Sequence, residues 1–199
     1  MYDWRKMTDA EREAVLDLRK RNHLPWHSPP HRDLEGERRY LVSATCYEHA
    51  SIIGHGPERM AECEETVLSV CREFCPEVFA WCVLPNHYHV LLRTERIKGL
   101  RLALGEFHGR SSRAWNKADG RVGRKVWHNC FERPMKSLRH FYASLNYVHH
   151  NPVKHGYVRR WQDWPFSSAP EFLKEMGRER AEEMWREYPI LKYGEKWDV

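Results

Sequence analysis

Seven almost unbroken apolar residues, Val78-Phe-Ala-Trp-Cys-Val-Leu84, are followed after only Pro85-Asn86 by His87-Tyr-His-Val-Leu-Leu-Arg93. A run of that length and apolarity reads as a buried central strand. The Pro-Asn dipeptide is a tight turn, so the second segment is the next strand. Any fold for this chain has to be assembled around that hairpin.

The neighbouring segments supply a layered order. Residues 39–47 are β-branched and aromatic, a strand. Residues 57–75 carry Met60, Cys63, Val67, Val70, Cys71 and Phe74 at helical spacing, with Pro57 suited to a first turn. A helix is predicted over 98–116, a basic glycine turn over 119–125 and a short strand over 126–133. Ser137 can cap a helix running to about His150, with Leu138, Phe141, Leu145 and Val148 on its apolar side and Pro152 ending it. This order, β-α-β-β-α(-β), is the ferredoxin-like pattern of class α+β: an antiparallel sheet with helices on one face. Ahead of it, Thr8-Asp-Ala-Glu11 reads as a capping box opening a helix to about His23, and Pro25, Pro29 and Pro30 impose an extended linker. After it, residues 170–185 read as one polar helix, with a loose end beyond. The expected division is residues 1–37, N-terminal helix and linker; 38–168, the main domain; and 169–199, a helical tail.

Length and composition agree with one domain plus extensions. The chain has 199 residues and a mean hydropathy of −0.79, and no run of about 18 apolar residues occurs, which argues against a membrane span. The first residues lack the apolar stretch of a signal peptide, so the expected location is cytoplasmic. Six cysteines contain no CxxC pair, which points to reduced core thiols rather than a zinc module or a disulfide framework. Charge is unevenly placed. Residues 93–163 hold 16 Lys and Arg against 5 Asp and Glu, whereas the remainder is net negative. Six histidines and Trp115, Trp127 and Trp161 are interleaved in the same segment. A basic zone with aromatics suits a polyanion with stackable bases, and a solvated charged face is the plainer alternative.

Two local patterns carry chemistry. His87 and His89 alternate with Tyr88 along one strand, so both imidazoles project from one face, about 7 Å apart at the strand rise. Such a pair can chelate a divalent cation; it also matches two partly exposed histidines at a strand start. Tyr147 and Asn151 stand four residues apart and share a helix face. A carboxamide oxygen is a usable hard ligand and a phenol beside a metal a usable nucleophile; a surface tyrosine with a helix-terminating asparagine is the plainer reading. Taken together, the two patterns would give a cation held by His87, His89 and Asn151 with a phenol one helical turn away, an arrangement suited to phosphoryl transfer to tyrosine.

The segment AWCVLPNHYHVLL resembles the His-hydrophobe-His strand of the single-tyrosine HUH transposases. LNYVHHNPVKHGYVRRWQDWPFSS resembles their nucleophile helix and its sequel, RRYLVSATCY the first strand, and HLPWHSPPHRD the variable lead-in, all nearest to the REP-associated tyrosine transposases. The resemblance spans residues 40–168. It implies a metal-dependent transposase and endonuclease that cleaves and rejoins single-stranded, hairpin-containing DNA through a 5′-phosphotyrosine. It also implies Tyr147 as nucleophile and His87, His89 and Asn151 as ligands of Mg²⁺ or Mn²⁺; many relatives carry Gln where this chain has Asn151. The bond energy is retained in the phosphotyrosine, so no nucleotide cofactor is expected. His149 and His150 flank the nucleophile and are expected to face solvent or DNA. Arg121, Arg124 and Lys125 in the glycine turn, with Lys154, Arg159 and Arg160 beyond the nucleophile helix, are the expected DNA contacts. Monomer and homodimer are both compatible with the family. The alternative is a domesticated protein that holds REP-like hairpins without productive transposition. An RNA-binding ferredoxin-like module would want aromatics where this strand carries His-Tyr-His.

Overall fold

A computed structural model describes residues 7–21 and 36–191. The chain divides into two units, residues 1–34 and 35–199. In the first, helix α1 (Asp9–Arg21) opens at the capping box: Thr8 Oγ1 accepts from the Glu11 amide at 3.3 Å and Glu11 Oε2 accepts from the Thr8 amide at 2.7 Å. The linker around Pro25, Pro29 and Pro30, the expected helix end near His23 and the loose end beyond residue 191 lie outside the described residues.

The second unit runs β1 (Arg38–Cys46), α2 (Pro57–Phe74), β2 (Glu77–Leu84), β3 (His87–Thr94), α3 (Ile97–Ala118), β4 (Trp127–Pro134), α4 (Leu138–Lys154), α5 (Ala169–Met176) and α6 (Arg178–Glu187). The strands form one antiparallel sheet in the order β2-β3-β1-β4. β1 and β2 are therefore parallel with β3 between them, and β3 and β4 are parallel with β1 between them. Helices α2 and α3 make those two crossovers, which is the ferredoxin-like arrangement.

Strand alternation sorts the core into two layers. Tyr40, Val42, Ala44, Tyr88, Val90 and Leu92 pack with Met60, Cys63 and Val67 of α2 and Leu100, Leu104 and Phe107 of α3. Leu41, Ala80, Cys82, Leu84 and Leu91 pack with Phe141, Leu145, Tyr147 and Val148 of α4. The two helices of the β-α-β-β-α(-β) repeat, α2 and α3, share one face as expected. The strands are apolar on both sides, and α4 covers the second.

Three expectations are corrected. β2 is not central but ends the four-strand order. Its burial comes from residues 164–168, which pair along its outer edge: the Val83 amide donates to the Phe166 carbonyl at 2.8 Å, the Ser168 amide to the Trp81 carbonyl at 3.1 Å, and Trp164 Nε1 to the Val83 carbonyl at 2.8 Å. Pro152 does not end α4. It sits inside the last turn, where only its own missing N–H is forgone, and the helix closes with His155 N donating to the Asn151 carbonyl at 3.1 Å. The single polar helix of the tail is two, α5 and α6, broken at Gly177, whose φ of 78° is left-handed.

The cysteines are free, and five of the six are buried. Burial raises the Cys46 and Cys130 thiols to about 12 and that of Cys75 to about 11, so they behave as apolar core groups. The glycine turn after α3 is fastened by a largely covered carboxylate. Asp119 accepts from Arg59 Nη1 at 3.0 Å and from Arg124 Nη2 at 2.6 Å, while Arg124 Nε donates to Asn116 Oδ1 at 2.9 Å. Hydrogen bonds from Arg59 and Arg124 hold the Asp119 carboxyl well below the ordinary aspartate value of 3.8. Asp119→Asn should lower stability by about 1–3 kcal/mol at neutral pH in a denaturant titration, because it weakens charge-assisted hydrogen bonds to two arginines. A depressed carboxyl stabilises the fold above its unfolded value and ceases to as pH falls through the folded one. The gap between wild type and Asp119→Asn should therefore close progressively below pH 3.8; a gap independent of pH would contradict this assignment.

Candidate active site

Strand β3 and helix α4 bring the two sequence patterns together. His87 and His89 lie on the face of β3 that α4 covers, and both are buried, as are Tyr147 and Asn151. The imidazole centroids are 4.9 Å apart, and the His89 and Tyr147 rings are 5.2 Å apart. Tyr147 Oη stands 3.5 Å from His89 Nε2. Asn151 Oδ1 stands 2.9 Å from His87 Nε2, and its Nδ2 is buried with no hydrogen-bond partner.

The outer nitrogens of both rings are also engaged. His87 Nδ1 meets Asn86 Oδ1 at 2.7 Å, and His89 Nδ1 meets Ser43 Oγ at 2.6 Å, Ser43 being the residue opposite His89 in the β1–β3 register. Both rings therefore turn their Nε2 atoms toward α4, the geometry of a metal-ligating histidine whose other nitrogen is held from behind. Among the described residues, no group of three or more His, Cys, Asp and Glu is placed to hold a metal ion. A cation here would take His87, His89 and the Asn151 carboxamide, leaving its remaining positions to phosphate oxygens and water. That oxygen-rich balance fits Mg²⁺ or Mn²⁺. The distance between Asn151 Oδ1 and His87 Nε2 matches the edge of an octahedron whose ligands stand about 2.1 Å from the ion.

The last turn of α4, continued through Pro152, adds two groups to the same side. Lys154 Nζ lies 5.2 Å from the centre of the Tyr147 ring, and the His155 ring lies 5.1 Å from that of His87. Tyr147, Asn151, Lys154 and His155 thus form one stripe at i, i+4, i+7 and i+8. Reading Pro152 as a stop hid His155 from sequence reasoning, although its helical spacing from Asn151 was available. Ser43 and Asn86 were also missed: the first depends on strand register, which no local pattern specifies, and the second adjoins the His-Tyr-His strand.

The flanking histidines behave differently from expectation. His149 is buried on the far side of α4 from the phenol. Its Nε2 pairs with Ser168 Oγ at 2.9 Å and its ring stacks on Trp161, and burial lowers its pKa to about 3. It ties α4 to the strand edge covered by residues 164–168, and it is buried rather than facing solvent. His150 is half-buried against Trp185.

The six basic residues expected on DNA are spread over different roles. Arg121 and Arg159 are exposed. Arg124 is engaged by Asp119 and Asn116, Lys125 lies over the Tyr47 ring at 4.6 Å, and Arg160 pairs with Asp163 at 2.8 Å. Lys154 is the one that stands at the candidate nucleophile.

Residues 40–149 match the family described as transposase IS200 like. Over 132 residues the chain is 30% identical to a Haemophilus influenzae protein provisionally named a REP-associated tyrosine transposase, covering 61% of this chain and 73% of that one. It is 30% identical over 104 residues to the REP-associated tyrosine transposase of Escherichia coli K12, covering 51% of this chain and 59% of that protein. A solved REP-associated tyrosine transposase bound to a REP hairpin shares the fold, with a TM-score of 0.56 at 21% identity over 82% of this chain and 89% of that one. The strand and helix that make the site lie mostly within the matched residues, and the chain belongs to the IS200-like transposase family, among its REP-associated tyrosine transposases.

Proposed function

We propose that the protein is a Mg²⁺- or Mn²⁺-dependent transposase and endonuclease that cleaves and rejoins single-stranded, hairpin-containing DNA through Tyr147. The observation that carries this reading is the convergence of a phenol, two imidazoles and a carboxamide from β3 and α4, all buried and within contact of one another. Two relatives named as REP-associated tyrosine transposases, and one solved while bound to a REP hairpin, support the choice of DNA.

Tyr147 Oη attacks the phosphorus in line; the bond to the 3′ oxygen breaks, giving a 5′-phosphotyrosine and a free 3′-OH. The phenol releases one proton and the leaving oxygen takes one up. A 3′-OH that later attacks the phosphotyrosine restores a phosphodiester and frees the phenol, so no nucleotide is consumed. A bound Mg²⁺ or Mn²⁺ would withdraw charge from the scissile phosphate. Lys154, beside the Tyr147 ring, favours the phenolate of a group whose ordinary pKa is about 10. Because the phenol is buried, side chains that cover it must shift before a phosphodiester reaches it, and Lys154, over its ring, is exposed.

The direct experiment is incubation with single-stranded hairpin DNA and Mn²⁺, with covalent protein–DNA bands read on a denaturing gel. Tyr147→Phe should abolish the band and retain hairpin binding, whereas Tyr142→Phe and Tyr157→Phe should keep it; the opposite pattern would contradict the nucleophile assignment. EDTA, His87→Ala or His89→Ala should remove cleavage and leave most of the affinity, because backbone charge contacts dominate binding. Full cleavage in EDTA would sink the metal reading. For the footprint, neutralising Arg121 and Lys125 should flatten the salt dependence of binding to single strands by about 0.7 for each phosphate left without its cation. An unchanged slope would place the footprint elsewhere. Equal cleavage of fully paired duplex would contradict the substrate class.

A further inference from the structure

We propose that Asn86 is a positioning residue that sets the tautomer of His87, so that Nε2 presents its lone pair toward Asn151. The proposal deepens the metal–tyrosine reading and rests on it for its purpose, although the tautomer itself can be measured without it.

The argument is one of donors and acceptors. Asn86 Nδ2 donates to the His49 carbonyl at 3.1 Å. A carbonyl oxygen only accepts, so the amide can stand only one way round, with Oδ1 as the atom 2.7 Å from His87 Nδ1. That oxygen also only accepts. Asn86 is the amide that a second bond anchors, whereas Asn151 Nδ2 has no partner, so the anchored acceptor places the single proton of a neutral His87 ring on Nδ1 and leaves the lone pair on Nε2. Nε2 faces Asn151 Oδ1 at 2.9 Å, a second acceptor. A cation ligated by both would satisfy that pair.

The parts that hold Asn86 are fixed. Its own carbonyl accepts from the Cys46 amide at 2.7 Å, and the preceding Pro85 carbonyl accepts from the Gly54 amide at 2.9 Å. A Cβ at Gly54 would collide with the Pro85 side chain and backbone, so glycine is needed for that approach. The His49 carbonyl is offered by a turn in which Glu48 and His49 both have left-handed φ, 57° and 51°, uncommon for such residues and costly to maintain. His89 makes an instructive contrast. Its Nδ1 meets the Ser43 hydroxyl, which can rotate to donate or accept, so Ser43 holds that ring without dictating its tautomer.

The test uses the full chain with ¹⁵N-labelled histidine, freed of metal with EDTA at a pH where imidazole is neutral. Long-range ¹H–¹⁵N correlation reads which ring nitrogen carries the proton, and a Mn²⁺ titration followed by electron paramagnetic resonance reads affinity without DNA. Wild type should show His87 protonated on Nδ1. Asn86→Asp, which keeps an acceptor for Nδ1 but gives up the bond to the His49 carbonyl, should retain that tautomer. Asn86→Leu should lose the single tautomer and weaken Mn²⁺ by about 10-fold or more. A wild-type His87 protonated on Nε2 would overturn the proposal even if Asn86→Leu fails to fold, and so would an unchanged tautomer in a folded Asn86→Leu protein. Nδ1 protonation in wild type with no Mn²⁺ bound would instead contradict the metal reading and leave the tautomer assignment standing.

Discussion

The site exists because α4 is pressed onto the face of the sheet that His87, His89 and Leu91 share. Phe141, Leu145 and Val148 recur along one stripe of the helix and bury against Leu41, Ala80, Cys82, Leu84 and Leu91. Burying each such side chain is worth about 1.5–3 kcal/mol, so the helix cannot rotate without losing most of its anchorage. Next to that apolar stripe runs a second one, Tyr147, Asn151, Lys154 and His155. Fixing the first fixes the second over the histidines. His149 fixes the helix from its other side, through Ser168, to the segment that covers the outer edge of β2.

This dependence explains which parts could be read from the chain. The hairpin around Pro85-Asn86, the helical spacing of residues 57–74 and the His-Tyr-His and Tyr-Asn spacings are local periodicities, and they translate directly into elements and shared faces. The face that a third helix takes is not local. The β-α-β-β-α order says that α2 and α3 make crossovers but is silent on α4, which follows the last strand. The outer position of β2 was hidden for a related reason. An edge strand covered by a distant segment, Trp164 to Ser168, is as apolar as a central one. Pro152 shows the limit of a breaker rule: a proline in the last turn forgoes one hydrogen bond, and here the continued turn carries Lys154 and His155 to the site.

Charge illustrates the same point. Composition locates the basic segment but does not distinguish cations that fasten the fold from those that face outward. Arg59 and Arg124 converge on Asp119, and Arg101 pairs with the nearly buried Glu132 at 2.8 Å. Arg121, next to that fastened turn, is presented on a backbone with Gly120 and Gly123 in left-handed conformations. In the proposed DNA complex, a clamped loop bearing an exposed arginine would leave little to order on binding.

The central claim is that His87, His89 and Asn151 form one metal site beside Tyr147. Anomalous diffraction from a crystal soaked in Mn²⁺ tests it most directly. The account predicts a single strong peak bounded by Nε2 of His87, Nε2 of His89 and Oδ1 of Asn151, at about 2.1 Å from each, the distance at which ions of this class are held. Mn²⁺ bound elsewhere on the chain, or at His87 and His89 with Asn151 turned away, would contradict it.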